Sequence, residues 1–108
     1  MKAILIDVTA YTVTDVEIDG ANSLRAMYKA IGCSCVTRIV LDKRNDLWID
    51  DEALMIEPQP NKFSIGSYAR PLAGNALICG YTRQGTTVAT TLTAEQVRPL
   101  KRFTATSI

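Results

Sequence analysis

The chain contains no histidine, so acid–base work or metal ligation would fall to its carboxylates and thiols. Asp42, Asp46, Asp50, Asp51 and Glu52 form an acidic series that could gather oxygen ligands for Mg²⁺ or Ca²⁺. The series lacks the alternating calcium loop with its central glycine, and it straddles a short hairpin. Turn residues and a solvated edge account for it more simply than a metal centre. Cys33, Cys35 and Cys79 would come together only if their strands are neighbours, and a structural zinc site wants four ligands. A redox pair would be spaced Cys-x-x-Cys at a helix start. The thiols are therefore read as small buried apolar side chains, and no catalytic residue, metal or cofactor is expected.

Binding chemistry concentrates in Phe63 to Gly85, FSIGSYARPLAGNALICGYTRQG. Glycines there permit positive φ and close backbone approach, so Gly74 and its neighbours could turn amides toward an anion. Arg70 and Arg83 flank the apolar run that follows and could grip phosphate or carboxylate in bidentate fashion. Tyr68 could stack on a ring. The expected ligand site is thus Tyr68, Arg70, Gly74, Asn75 and Arg83. Neither the Walker pattern nor the dinucleotide fingerprint is present, so this is not a phosphate loop of a known type.

Bulk composition bounds the function classes. The 108 residues suit a single domain spanning 1–108, with 47% hydrophobic and 21% charged residues. A net charge of +1 gives no global field for nucleic acid or an anionic membrane, although it can conceal a local basic patch. Arg98, Lys101 and Arg102 beside Phe103 read first as cations suited to a helix C-terminus, so nucleic acid is not the expected partner. Apolar runs such as Ala76–Cys79 are too short to span a bilayer. No leader pattern opens the chain and the cysteine count is odd, so a cytoplasmic setting is expected.

The elements that must position these residues follow from periodicity. Lys2–Asp7 is an aliphatic strand buried on both faces, and Val13–Ile18 alternates as a half-solvated one. Leu24, Met27, Tyr28 and Ile31 make one apolar helix face after a cap at Asp19 or Asn22, with Gly32 as the left-handed stop. That predicts a helix over about 21–31. Cys33–Leu41 and Leu47–Ile49 read as strands joined by the polar turn 42–46. Phe63–Ile65 and Ala76–Thr82 follow as strands. Thr86–Thr91 is a polar, β-prone stretch whose open edge a second copy would cover, giving a homo-oligomer. Thr93-Ala-Glu-Gln96 has the capping-box pattern and predicts a short helix over about 94–102, shortened or kinked by Pro99. The class is α+β, with a mostly antiparallel sheet.

Read in order, Ile4–Asp7, Val16–Asp19, Tyr28–Cys33, Asp46–Glu52, Pro71–Asn75, Ile78–Gly80 and Gly85–Thr87 resemble, in register over nearly the whole chain, a family of small proteins with a domain of unknown function. Its members are carried on bacterial mobile elements, plasmids and phages. Cys33-Ser-Cys35 and the arginine-rich tail depart from that pattern. The resemblance implies an accessory protein, often a small binder or inhibitor of host machinery. The leading expectation is therefore a non-enzymatic binding protein that sequesters a small anionic or nucleotide-like ligand, or a host protein. One alternative is an interaction protein whose acidic face, Asp42, Asp46, Asp50 and Asp51, inhibits a host nucleic-acid enzyme. Another is a metal-dependent hydrolase using the Asp42–Glu52 carboxylates.

Overall fold

A computed structural model describes residues 1–55, 60–66 and 70–104. In chain order the strands are β1 (Lys2–Asp7), β2 (Thr12–Glu17), β3 (Val36–Val40), β4 (Asn45–Asp50), β5 (Lys62–Ile65), β6 (Leu72–Ala73), β7 (Ala76–Tyr81), β8 (Thr87–Val88) and β9 (Lys101–Thr104). The α-helices are α1 (Ser23–Ile31), between β2 and β3, and α2 (Ala94–Val97), between β8 and β9. All pairings are antiparallel. The main sheet has the order β2-β1-β7-β4-β3 with β8 added to β7, and a second sheet has the order β6-β5-β9. The α+β class is confirmed.

β7 is central because its sequence is apolar on both faces. The period of two sends Ala76 and Ile78 one way, Leu77 and Cys79 the other, and all four are fully buried. Ala76 and Ile78 join Ile4, Ile6 and Leu47 under the small sheet, whose Phe63, Ile65 and Leu72 fill that core together with Ala94 and Val97 of α2. Leu77 and Cys79 join Ala3 beneath Met27 and Ile31 of α1. Each large side chain so buried contributes roughly 1.5–3 kcal/mol. The result is three layers: α1, the main sheet, then the small sheet with α2.

The first helix is set by its ends. Asp19 accepts the Ala21 amide at 2.9 Å and caps a 3₁₀ turn at Gly20–Asn22. Asn22, next to the α-helix, makes no side-chain cap bond. Gly32 stops the helix at φ +81°, its amide donating to Tyr28 O at 2.8 Å. The apolar face is narrower than the spacing suggests: Met27 and Ile31 are buried, but Leu24 is half exposed. The helix meets the sheet through its last two turns.

Three expectations change. The C-terminal helix does not run to residue 102. The Thr93 capping box forms with both its bonds, but Pro99 confines Arg98–Leu100 to a 3₁₀ turn, and Lys101–Thr104 becomes a strand against β5. Thr86–Thr91 is strand only at Thr87–Val88, which lies against Gly80–Tyr81. Between the expected strands Phe63–Ile65 and Ala76–Thr82 lies a further one, β6. The basic tail is also committed elsewhere. Arg98 donates to Val13 O through Nε at 3.3 Å and Nη2 at 2.9 Å, and Lys101 Nζ lies 4.2 Å from the centre of the Phe103 ring. Among the described residues, no helix is long and apolar enough to cross a membrane.

Candidate functional site

Two tight turns lie side by side where β4 begins and β7 ends. In the first, Asp42 Oδ1 accepts the amides of Arg44 at 2.7 Å and Asn45 at 2.9 Å, an Asx turn that leaves Lys43 and Arg44 exposed. In the second, Gly85 N donates to Thr82 O at 3.0 Å and Thr86 N to Thr82 Oγ1 at 3.1 Å. Gly85 takes φ +85°, which leaves Arg83 and Gln84 exposed at the centre of that turn. Tyr81 N donates to Arg44 O at 2.7 Å and holds the turns together.

A buried polar network fixes this end from beneath. Asn45 is 1% exposed, and its side-chain carbonyl accepts the Thr90 hydroxyl at 2.6 Å. Its amide donates to the Asp42 carboxylate and to Thr91 Oγ1, each at 3.2 Å. Every polar atom of the asparagine has a partner, as burial requires. Gly80 lets the segment just after β8 pass so close: a Cβ there would overlap the Ala89 carbonyl oxygen.

Between the turns opens a cleft of about 510 Å³. Lys43, Arg44 and Arg83 line it with Tyr81, Thr82, Val88, Ala89 and Thr91. None of the three cations makes an ion pair among the described residues. Just outside, the Arg38 guanidinium stacks 4.8 Å from the centre of the Tyr81 ring and lies 3.8 Å from Asp46 Oδ2. Asp46 is 2% exposed, and burial pushes its carboxyl above the usual aspartate range; Asp42 adds to that rise and Arg38 opposes it. A groove of about 600 Å³ along α1 is larger, but Glu17 and Asp19 balance Arg25 and Lys29 there. A shallow depression of about 800 Å³ at the end of α1, lined by Arg25, Tyr28 and Lys29, is larger still. Volume alone would favour it; three cations brought together from two facing turns favour the turn cleft.

The residues expected to bind together are separated. Arg83 is in the cleft. Gly74 and Asn75 sit at the other end of β7, whose six residues span roughly 20 Å. They are occupied structurally: Asn75 Oδ1 accepts Val8 N at 2.9 Å, and Gly74, at φ +83°, donates its amide to Asn61 O at 2.9 Å. The crevice they line holds about 140 Å³ and faces Asp50, too small and wrongly charged for the expected anion. Arg70 is exposed in the bend before β6 and does not line the Arg83 cleft. Tyr68 lies outside the described residues.

The four aspartates do not form one acidic face. Asp46 is buried against Arg38, and Asp42 is spent on its own turn. Asp50, at the far end of β4, accepts the Glu52 amide at 2.9 Å beside the exposed Asp51. Among the described residues, no group of three or more carboxylates and thiols is placed to hold a metal. The cysteines divide as well: Cys79 is buried, Cys33 intermediate and Cys35 exposed, so the apolar reading holds for Cys79 alone. Burial, with a smaller push from Asp46, raises the Cys79 thiol to about 12. Sequence reading missed Lys43, Arg44 and Tyr81 as partners of Arg83. The available signal was two polar turns each carrying cations, but their adjacency depends on long-range strand pairing.

No curated protein and no solved structure matches the chain. One family model does, over residues 1–105. With nearly the whole chain matched, the protein belongs to the family described as Domain of unknown function (DUF3846).

Proposed function

We propose that the protein is a non-enzymatic binding protein that holds an anionic ligand in the cleft between the β3–β4 and β7–β8 turns. One observation carries this reading: Lys43, Arg44 and Arg83 converge there with no acidic partner among the described residues. Like charges held together cost free energy, and a bound anion removes that cost while gaining charge-assisted hydrogen bonds. The cleft's volume is within the range of small-ligand sites. Origin on a mobile element, and sequestration of the ligand in the cytoplasm as the biological purpose, extend the proposal through the resemblance of the sequence. The acidic-face inhibitor and the carboxylate hydrolase gain no support from buried Asp46 and turn-bound Asp42.

Thermal unfolding tests the reading. Inorganic tripolyphosphate should raise the midpoint well above that in sodium chloride of equal ionic strength, since a ligand at ~100 times its Kd adds about 2.7 kcal/mol. Equal midpoints in the two salts would reject it.

A further inference from the structure

The two edge strands of the main sheet differ in what covers them. Against β2, Ala94 N at the start of α2 donates to Asp15 Oδ1 at 3.1 Å, and Arg98 Nη2 donates to Val13 O at 2.9 Å. β3 has no neighbour beyond β4 among the described residues. Leu41 N donates to Asn45 O at 3.0 Å and Asp51 N to Cys35 O at 3.1 Å, so the odd-numbered residues of β3 bond to β4. The amides and carbonyls of Val36, Arg38 and Val40 therefore point away from the sheet. Such edges are ordinarily guarded by proline, lysine, a bulge or a covering element. Val36-Thr-Arg-Ile-Val40 has no proline or lysine, its pairing with β4 is unbroken, and Val40 is 69% exposed. Its one charge, Arg38, turns back onto its own sheet, to the Tyr81 ring and Asp46.

Independently of the ligand reading, we propose that β3 pairs with β3 of a second copy, antiparallel about a two-fold axis, joining the two main sheets into one. Charge selects a second copy as the occupant. The turn at one end of β3 carries Lys43 and Arg44, and the bond from Asp51 N to Cys35 O sets Asp51 and Glu52 at the other. An antiparallel two-fold places each copy's cationic end beside the other's acidic end. The register follows from the same rule. An axis at Arg38 would set two arginines directly opposite each other, which is destabilising. An axis at Ile39 sets Ile39 against Ile39 and Arg38 against Val40, with their outward amides and carbonyls paired. It also brings Lys43 opposite Cys35, beside Asp51, which an axis at Thr37 does not.

Sedimentation velocity of the intact protein, without ligand and over a range of concentrations, tests the proposal. The expected result is a monomer–dimer equilibrium that weakens as salt is raised. Val40→Lys sets a cation opposite Arg38 of the second copy, twice by symmetry, and should weaken dimerisation at least about tenfold. Asp51→Lys and Lys43→Asp should each weaken it too. The double variant should restore it, which a loss of structure in either single variant would not allow. A monomer at every concentration would overturn the proposal and leave the edge to an extended segment of another protein. A dimer indifferent to Val40→Lys, or a double variant no better than the single ones, would overturn the β3 pairing.

Discussion

At the scale of single residues, the site end of the sheet depends on groups that touch no ligand. Gly80 is one: with the Ala89 carbonyl oxygen in the space of its missing side chain, Gly80→Ala must push the 88–90 segment off the sheet. The expected cost is roughly 1–3 kcal/mol in urea unfolding, as for other overpacked positions. Asp46 is a second, and its sign can be worked out. Burial raises its carboxyl in the fold, so the native state holds that proton more tightly than the unfolded chain does. Its contribution to stability therefore falls as pH rises from the ordinary aspartate range through the raised native value. Asp46→Asn should equal or exceed the parent in stability at pH 7, and any advantage should fade toward pH 4. A parent more stable at pH 7, with the gap closing on acidification, would mean that the partly exposed Arg38 pair outweighs burial. The residue types at both positions were plain in the sequence, but their neighbours were not. Asp46 is one aspartate in an acidic run until the pairing with Cys79 places it inside.

At the scale of elements, legibility followed the range of the interactions. α1 could be read from its Gly32 stop and four-residue spacing, and α2 from Thr93 and Gln96, because caps and periodicity are local. Thr93→Ala should cost roughly 1 kcal/mol, measured by thermal or urea unfolding, since it removes the acceptor for the Gln96 amide at 3.3 Å. The β1–β2 and β3–β4 hairpins were equally readable as neighbouring runs. β9 was not, because Lys101-Arg102-Phe103-Thr104 alternates for only four residues and directly follows helical sequence. Only pairing with β5 makes it a strand. The placement of Gly74 and Asn75 was missed for a related reason: residues that permit an anion nest also serve ordinary turns, and here they bind Asn61 and Val8.

At the scale of the whole molecule, a near-neutral total conceals a charge gradient along the sheet. Asp7, Asp50, Asp51 and Glu52 gather at the end where β7 begins, and Lys43, Arg44 and Arg83 at the end where it finishes, outnumbering turn-bound Asp42, with Asp46 set against Arg38. On the proposed reading anions are drawn to that second end, with the pull weakening as salt screens it. Arg70 and Arg83, nearly equal candidates on paper, are thereby distinguished by position. The most direct measurement compares Arg83→Ala with Arg70→Ala in tripolyphosphate titrations at low ionic strength. Arg83→Ala should weaken binding about tenfold, the loss of one charge-assisted contact, with Arg70→Ala unchanged. Weakening by Arg70→Ala with Arg83→Ala unaffected would contradict the account and return the site to the loop before β7.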